Sequence, residues 1–536
     1  MLRMFTLFSV AAGAALLVAC DDALPDDGAG GSQGGSAPLT VKTDHGEVKG
    51  ALEGATRQFL GIPFAAPPVG PLRWKPPADH APWTAPLDAS KTGPQCAQLD
   101  PLSGAFVDLS SEDCLTLNVW APSRPKSEKL PVMVWIHGGG YVLGSGGDPA
   151  YDGHNLSEAT GVIVVSINYR LGPFGFLSLP ALRAEDASVP SSGNYGLQDQ
   201  RAALAWVKAN AAAFGGDPAN ITVFGESAGG ASACQHLVAP RSKGLVARAI
   251  IESGPCDLVS TKDAADTQGK TFTDALGCKQ GDDAAVLACV RGKTTEELAI
   301  ALPLSKDFIS AGGATWNPVV DGFELPDRPS ALLASGAFEK VPTILGYNSD
   351  EAALFFVLGN TKIADDAALA AFAETIAPGH GAEIASHYPS SAYGSAQDAA
   401  EAAVTDAGFL CPTKRMAKAF AKAGAPTFLY HFAYVPMGGF LGDIGSFHSG
   451  EIRYVLGDPS QLLPLGLTDD EKAFSSVIQG YWTRHAANGD PNGGAFAWPR
   501  YDGASDQAIV LDATLSTESG HRAEQCAFWD GLAVVI

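Results

Sequence analysis

The chain has 536 residues, and its 35 Lys and Arg residues are outnumbered by 58 Asp and Glu residues, giving a formal net charge of −23. This balance argues against binding to nucleic acid or docking on anionic lipid, because both need a basic surface. The hydrophobic content of 46% is ample for a sizeable core. The sequence spacing shows no metal-ligand pattern, P-loop or dinucleotide fingerprint, so we expect neither a metal nor a cofactor.

The N-terminus has the pattern of an export signal. A short positive start precedes an apolar run over residues 4–19, which has small residues near its end and is too short for a typical membrane span. The run ends in Leu17-Val-Ala-Cys20, which resembles a bacterial lipobox, where the cysteine becomes the lipidated N-terminus. An ordinary signal peptide followed by a coincidental cysteine is the alternative.

The segment after this cysteine is rich in Gly, Asp and Ser, a composition typical of flexible tethers. The predicted organisation is a signal peptide over 1–19, a lipidated Cys20 with a linker over 20–37, and a single domain over 38–536. This organisation predicts that the protein is exported and that a lipid anchors it in a bacterial envelope, either in the periplasm or at the outer surface. A secreted form is the alternative.

The first chemical signal is a glycine-rich loop after a predicted strand. Leu130–Ile136 is a short apolar run that runs straight into His137-Gly-Gly-Gly140. Consecutive glycines after a buried strand are a conformational cost unless bare backbone must approach a ligand. The loop therefore predicts backbone amides directed at a developing negative charge, as in the HGGG loops of hydrolases. A flexible loop tip is the alternative.

Strands and helices alternate in the predicted structure after this loop. Residues 162–168 form a nearly continuous apolar run, residues 197–213 have the period of an amphipathic helix, and residues 249–252 form another short strand. This β-α-β alternation predicts an α/β fold with a mostly parallel sheet that is covered on both faces. Alanine-rich segments over 284–301 and 367–423 are predicted to be helices of a cap over the strand ends.

The second signal is G-x-S-x-G at residues 225–229, which follows a β-branched run over 221–224 and precedes a predicted helix over 231–238. A serine here lies on a sharp strand-to-helix turn that exposes the Ser227 hydroxyl. The turn also directs the amide of Ala228, at the helix start, toward a developing negative charge. A plain turn with a capping serine is the alternative.

Sites of this type need an acid and then a histidine after the serine. A predicted strand over 341–346 ends in a segment that contains Asp350 and Glu351. Further along, His448 lies in a glycine-bounded loop over 445–451. Both are strand-end or loop positions, where sites are usually built.

Several motifs together resemble the type-B carboxylesterases, a family that also holds cholinesterases and some fungal lipases. The resemblance runs from about residue 38 to the C-terminus. Besides the loop and the serine motif, it includes Phe59-x-Gly61-Ile-Pro-Phe-Ala65, Pro67-Pro68-x-Gly70-x-Leu72-Arg73, Ser111-Glu-Asp-Cys-Leu-x-Leu-Asn118, Asn194-Tyr-Gly-Leu-x-Asp-Gln-x-x-Ala203-Leu-x-Trp206-Val and Phe214-Gly-Gly-Asp-Pro218.

The resemblance implies an α/β-hydrolase fold and a serine esterase that works through an acyl-enzyme. By the family pattern the nucleophile is Ser227, the acid Glu351 and the base His448, and the oxyanion donors are the amides of Gly139, Gly140 and Ala228. The chain departs from the pattern at Ala352, where the family usually has glycine after the acid. This departure puts the local loop geometry in question.

Glu226, beside the nucleophile, has two interpretations. It could be a second carboxylate that favours the charged form of His448 or steadies a buried water. It could equally be a solvated residue of the turn.

Nine cysteines fit an oxidising compartment. Three pairs are implied by the resemblance: Cys96–Cys114, Cys278–Cys289 and Cys411–Cys526. With Cys20 set aside, Cys234 and Cys256 remain and are paired by elimination. Two buried free thiols are the alternative for them.

The substrate is expected to be a small-molecule ester, with no prediction of oligomeric state. Between Cys96 and Cys114 the only aromatic residue is Phe106, and tryptophan, the best face for a cation, is absent. This favours a general carboxylesterase over a choline esterase. A lipase acting at interfaces is one alternative, and a non-catalytic binding or adhesion protein, which some family members are, is another.

Overall fold

An 11-stranded sheet forms the centre of the computed structural model. The structure describes residues 37–101, 103–125, 129–304, 314–436, 442–457, 466–494 and 496–532. The predicted signal peptide and Cys20 lie outside the described residues. Contacts group the chain from Ala37 onward into one compact unit.

Strands within the described residues are numbered in chain order. They are β1 (Thr40–Thr43), β2 (Gly46–Lys49), β3 (Ala51–Glu53), β4 (Thr56–Pro63), β5 (Leu87–Asp88), β6 (Thr116–Pro122), β7 (Leu130–Ile136), β8 (Ile163–Ile167), β9 (Gly216–Glu226), β10 (Arg248–Glu252), β11 (Ser260–Thr261), β12 (Val319–Val320), β13 (Thr343–Asn348), β14 (Thr427–Phe432), β15 (Gln507–Leu511) and β16 (Ser516–Ser519).

Helices are numbered in the same way. They are α1 (His154–Thr160), α2 (Gly172–Phe176), α3 (Pro180–Ala184), α4 (Tyr195–Phe214), α5 (Ala228–Val238), α6 (Lys262–Ala275), α7 (Asp283–Arg291), α8 (Thr295–Ala299), α9 (Pro329–Ser335), α10 (Ala353–Leu358), α11 (Asp366–Ile376), α12 (Gly381–His387), α13 (Ser390–Tyr393), α14 (Ala396–Thr405), α15 (Cys411–Lys422), α16 (Ile452–Leu456), α17 (Asp469–Asn488) and α18 (Ala523–Leu532). A π-helical turn, Asp406–Leu410, joins α14 to α15.

The sheet confirms the predicted α/β fold. Its strand order is β16-β15-β14-β13-β10-β9-β7-β8-β6-β4-β3. The pairs from β8 through β15 are parallel, and antiparallel pairs occur only toward the two edges among the described residues. The predicted helical segments are also helical: 284–301 contains α7 and α8, and 367–423 is divided among α11 to α15.

The apolar run in β7 is explained by burial on both faces. Val132, Val134 and Ile136 pack in the core on one face, where α4 and α5 lie. Met133 and Trp135 alternate with them and pack in the core on the other face, against α17. A parallel strand with helices on both sides therefore has no polar face, as its sequence predicted.

This topology brings the predicted site to one edge of the sheet. The glycine loop follows β7, Ser227 follows β9, and Glu351 lies just beyond β13. These strands run in the same direction, so their carboxyl ends meet at one edge, where ligands bind in open α/β sheets. The loop that carries His448 joins there through a bridge between Asp350 and Phe447.

Among the described residues four disulfides are formed: Cys96–Cys114, Cys234–Cys256, Cys278–Cys289 and Cys411–Cys526. These pairs coincide with those expected from the sequence, and the two thiols paired by elimination are bonded to each other. The pair 411–526 ties α18 to the start of α15. No helix in the described ranges combines the length and the apolar content that a membrane crossing requires.

Candidate active site

Ser227 lies at a strained turn between β9 and α5. Its φ of 56° and ψ of −122° are a conformation that non-glycine residues rarely adopt. The turn is possible because its neighbours lack side chains: a Cβ on Gly229 would lie 1.9 Å from the Ile136 carbonyl, and one on Gly225 would lie 2.5 Å from it. The serine is thereby held at the end of β9, with α5 beginning at Ala228.

The glycine loop lies directly beside this serine. Gly139 and Gly140 have φ values of 98° and 58°, in the left-handed region that favours glycine. A Cβ on Gly138 would lie 3.2 Å from the Ser227 Cβ, which is a tight contact and shows how closely the loop approaches the serine. His137 fixes the start of the loop, because its ring stacks on that of Tyr169 with centroids 4.4 Å apart.

The first disulfide loop supports the glycine loop from its other end. Gln98 accepts a hydrogen bond from the Gly144 amide at 2.9 Å and donates one to the Gly144 carbonyl at 3.0 Å. Gln98 also donates to the carbonyl of Cys96, which ties this support to the disulfide. The Cys96–Cys114 loop therefore helps to hold the segment that follows the glycine loop in place.

The predicted acid and base are in direct contact. His448 Nδ1 lies 2.6 Å from Glu351 Oε2, and both side chains are buried. The other oxygen of Glu351 accepts a hydrogen bond from the backbone N–H of Asn348 at 2.8 Å, which fixes the carboxylate. Ala352 has an ordinary right-handed backbone and donates to the Thr405 hydroxyl, so alanine fits where the family usually has glycine.

Glu226 is buried, so its interpretation as a solvated turn residue is wrong. Only 2% of it is exposed. Its Oε1 lies 3.0 Å from His448 Nε2 and accepts a hydrogen bond from the Ser449 hydroxyl at 2.7 Å. His448 is therefore placed between two carboxylates, one near each ring nitrogen.

The approach of Glu226 to Nε2 is an ion-pair contact without hydrogen-bond geometry. Within the described residues, His448 Nε2 makes no hydrogen bond, to Ser227 or to any other group. The structure thus joins the predicted acid, Glu351, to the predicted base, His448. Ser227 directly follows Glu226, whose carboxylate lies beside His448 Nε2. Nε2 makes no hydrogen bond to a described residue, and the Glu226 carboxylate beside it favours the charged ring that forms when Nε2 takes up a proton.

Two further carboxyls, which the sequence analysis did not single out as site residues, lie behind this group. Glu451 accepts a hydrogen bond from the Asn348 side chain at 2.6 Å, and Glu252 accepts one from Trp482 at 2.9 Å. Both are buried. Glu252 could have been noticed as a charged residue at the end of an apolar strand, and Glu451 as an acid three residues after the histidine.

Burial and mutual repulsion control the protonation of these groups. Burial lowers the pKa of His448, but the nearby charges of Glu226 and Glu351 outweigh it and raise the pKa to about 9. Burial raises the pKa of Glu226 to about 7 against the opposing charge of His448. It likewise raises the pKa of Glu451 to about 8 and that of Glu252 well above its usual range. Protons are therefore shared among several groups near neutral pH.

Two aromatic rings cover the histidine. The rings of Phe355 and Phe409 lie 5.0 Å and 4.8 Å from the His448 ring, centroid to centroid. Phe355 comes from α10 and Phe409 from the π-helical turn. The helices after β13 therefore contribute apolar surface directly above the base, as expected of a cap.

The chain is similar to known proteins over almost its whole length. The carboxylesterase family model matches residues 37–529. The para-nitrobenzyl esterase of Bacillus subtilis (strain 168) is 37% identical over 494 residues, which cover 90% of this chain and 97% of that protein. The acetylcholinesterase of Bungarus fasciatus is 35% identical over 539 residues, which cover 93% of this chain and 87% of that protein.

A third relative is the medium-chain fatty acyl-CoA hydrolase precursor of Anas platyrhynchos, 34% identical over 529 residues, with 91% of each chain covered. Both the family match and these identities extend over almost the whole chain. The chain therefore belongs to the carboxylesterase family, whose catalytic members are serine hydrolases that cleave esters.

Proposed function

We propose that this protein hydrolyses carboxylic esters through an acyl-enzyme on Ser227, with His448 as the base and Glu351 as the acid that orients it. The observation that carries the proposal is the position of the imidazole. Its Nδ1 is held by Glu351 at 2.6 Å, while its buried Nε2 has no hydrogen-bond partner among the described residues. A general base needs this arrangement, one nitrogen fixed and the other available.

The reaction then has two halves. His448 Nε2 takes the Ser227 proton as the hydroxyl oxygen attacks the ester carbonyl, and it gives the proton to the leaving alcohol when the C–O bond breaks. Water, activated by the same nitrogen, attacks the acyl-enzyme and releases the acid and the free serine. Glu351 keeps the Nδ1 proton in place throughout and offsets the positive charge of the ring.

The backbone amides of Gly139, Gly140 and Ala228 are assigned the role of stabilising the negative charge that develops on the carbonyl oxygen. Ala228 is the first residue of α5, where the N–H groups have no partner within the helix. The two glycines lie in the loop that approaches Ser227. Removal of one such donor typically costs about 10²–10³ in rate.

The experiment is a comparison of two serines on the same turn and helix. Ser227→Ala should reduce kcat on a chromogenic ester by about 10⁴-fold or more with an unchanged melting temperature. Ser232→Ala, at a buried serine one turn along α5, should retain most of the activity. Mass spectrometry should locate an organophosphate label on Ser227, and wild-type rates in Ser227→Ala would refute the proposal.

Short-chain or aryl esters are the proposed substrates. Phe106 is the only aromatic residue in the Cys96–Cys114 loop, which offers no tryptophan face for a quaternary ammonium. A panel of esters that varies the acyl chain and the alcohol tests this preference. A steep rise in rate above the substrate's micellisation point would favour an interfacial lipase instead, and no turnover of any ester would favour a binding protein.

We also propose that Cys20 is lipidated and anchors the protein in a bacterial envelope. The support is the sequence Leu17-Val-Ala-Cys20 and the Gly-, Asp- and Ser-rich segment after it. A palmitate analogue should label the wild type in growing cells and should not label Cys20→Ala. Equal labelling of the two would show that the anchor is elsewhere or absent.

A further inference from the structure

A second group of histidine and carboxylate side chains lies at the edge of the sheet, on β14, on β16 and just beyond it. His431 on β14 is opposite Val510 on β15, and Glu518 on β16 is opposite Ala508. Val510 and Ala508 are two residues apart on β15, so His431 and Glu518 project from the same face. His521 follows β16 and completes the group.

The three side chains are close enough to share one ion. His431 Nδ1 lies 2.8 Å from one oxygen of Glu518, and His521 Nδ1 lies 3.1 Å from the other. One ligand atom from each residue can be chosen so that all three lie within 4.8 Å of one another. The His431 side chain is 8% exposed, whereas those of Glu518 and His521 are 24% and 30% exposed, which leaves an approach from solvent.

A serine outside the group supports His431 as a ligand. The Ser349 hydroxyl lies 2.7 Å from His431 Nε2 and can donate to the Phe432 carbonyl at 3.4 Å. With that donation made, Ser349 accepts a hydrogen bond from the N–H group at Nε2 of His431. The lone pair of a neutral His431 then lies on Nδ1, which faces the Glu518 carboxylate. A ring nitrogen lone pair opposite a carboxylate oxygen is unfavourable unless a proton or a metal lies between them.

The basic side chains near the site, Lys414 and Arg522, form ion pairs with acids other than Glu518. Lys414 is paired with Asp506 at 2.6 Å and donates to the His521 carbonyl. Arg522 is paired with Asp406 at 2.8 Å. In the part of the chain that the structure describes, the nearby basic side chains therefore have acidic partners of their own.

From this geometry we propose that His431, Glu518 and His521 form a binding site for a divalent transition-metal ion, with Zn²⁺ as the representative. Two imidazole nitrogens and one carboxylate oxygen are a donor set that zinc binds well, and the exposed side leaves a fourth position for water. On binding, the metal takes the place of any proton between a ligating ring nitrogen and the carboxylate, and that proton is released to solvent. His431 keeps its proton on Nε2, bonded to Ser349, as metal-bound histidines commonly are.

No pattern in the sequence indicates this site. Glu518 and His521 are separated by two residues, but His431 is 87 residues before Glu518. Only the pairing of β14 with β15 and of β15 with β16 brings the three together.

Isothermal titration calorimetry with Zn²⁺ tests the proposal on the purified full-length chain after chelator treatment. We expect one equivalent of Zn²⁺ to bind and to raise the melting temperature, because a ligand specific to the folded state stabilises it. His521→Ala should abolish this equivalent. His380→Ala is the matched control, since His380 pairs with Glu383 at 3.0 Å but belongs to no group of three possible metal ligands among the described residues.

Two more variants separate this site from the rest of the protein. His448→Ala should keep the equivalent of Zn²⁺, whereas its loss there would place the metal in the candidate active site. Ser349→Ala should weaken Zn²⁺ binding by about 10–100-fold, the range for loss of an outer partner of a ligating histidine.

Wild-type protein that binds no Zn²⁺, or that binds it equally well after His521→Ala, would overturn the proposal. The group would then be an ion-pair cluster only. Both readouts are independent of esterase activity, so they do not depend on the function proposed for Ser227.

Discussion

The two histidine–carboxylate groups of this protein have opposite compositions. At the candidate active site one imidazole, His448, lies between the carboxylates of Glu226 and Glu351. At the sheet edge one carboxylate, Glu518, lies between the imidazoles of His431 and His521. The first group is almost fully buried, and the second is partly open to solvent.

The difference shows how composition and burial decide what similar residues do. Two buried carboxylates stabilise a positive ring, which suits a base that must carry a proton in the middle of a reaction. Two imidazoles around one carboxylate instead offer nitrogen donors to a cation. At the sheet edge, burial raises the pKa of Glu518, but its bonds to the two histidines outweigh this and lower it to about 2. Glu226 shows the reverse, a pKa raised by burial.

The largest expected effect comes from the carboxylate that holds Nδ1. Glu351→Gln should lower kcat by about 10⁴-fold, because the amide no longer selects the ring tautomer that leaves Nε2 as the acceptor. The melting temperature should change little. Asp350→Asn is the control, since that carboxylate accepts from the Ser446 amide. An equal loss in both variants would show that loop structure, and not the contact to His448, matters.

Removal of the second carboxylate should shift the pH dependence. Activity needs neutral His448, so it rises as pH passes the pKa of that ring. The charge of Glu226 raises this pKa. Glu226→Gln should therefore move the acid limb of the kcat/KM profile to lower pH.

The same variant should lower kcat by about tenfold for each unit of lost pKa, since the charged ring is less stabilised in the transition state. Glu518→Gln, in the other group, should leave the profile in place. A limb that stays at the wild-type pH in Glu226→Gln would contradict the role assigned to this carboxylate.

A third variant tests the cost of crowding carboxyls in the core. The pKa of Glu252 is raised by burial and by Glu451, so the folded state binds its proton more tightly than the unfolded state does. Stability must then fall as pH rises above the ordinary carboxyl pKa of about 4.3. Glu252→Gln should remove that loss and stabilise the protein by about 1–3 kcal/mol near pH 8.

Thermal unfolding measured at several pH values checks this prediction. The gain in melting temperature should shrink as pH falls through about 4, because the wild-type carboxyl then becomes protonated in the unfolded state as well as in the folded state. The amide oxygen can still accept from Trp482, so this hydrogen bond is retained. A variant less stable than wild type at alkaline pH would show that Glu252 is charged and usefully paired.

The smallest effect is expected at the sheet edge. The pKa of Glu518 is lowered in the folded protein, so its contribution to stability is present above its ordinary pKa and is lost as pH falls toward 2. Glu518→Gln should destabilise the metal-free protein by less than about 1 kcal/mol, as partly exposed ion pairs do. The deficit should be present near pH 6 and diminish in acid, and ester turnover should be unchanged.

Much of the catalytic framework could be predicted because its signals are local. The apolar run of β7, the glycines of 138–140 and the serine turn at 225–229 each reflect constraints among neighbours in the chain. The order of acid and histidine after the serine predicted a segment with Asp350 and Glu351 and a loop with His448. The resemblance to the carboxylesterases then implied Glu351, which the structure places in contact with His448. Ala352 fits its position without strain, which the sequence could not establish.

Other features could not be predicted because their causes are distant in the chain. Nothing local distinguishes Glu226 buried against an imidazole from Glu226 in solvent. The grouping of Glu252 and Glu451 depends on how β10 packs beside the loop after His448. The pairing of Cys234 with Cys256 was reached only by elimination, since spacing does not determine connectivity.

The sequence by itself determined the alternation of strands and helices, the glycine turns and the family of this protein, because these depend on periodicity, backbone sterics and short motifs. Only the tertiary structure decided which carboxylates face His448 and that His431 meets Glu518 and His521. Strand order and register bring such groups together, and burial then sets their protonation. Both arise from packing across the whole sheet, which no local pattern of residues specifies.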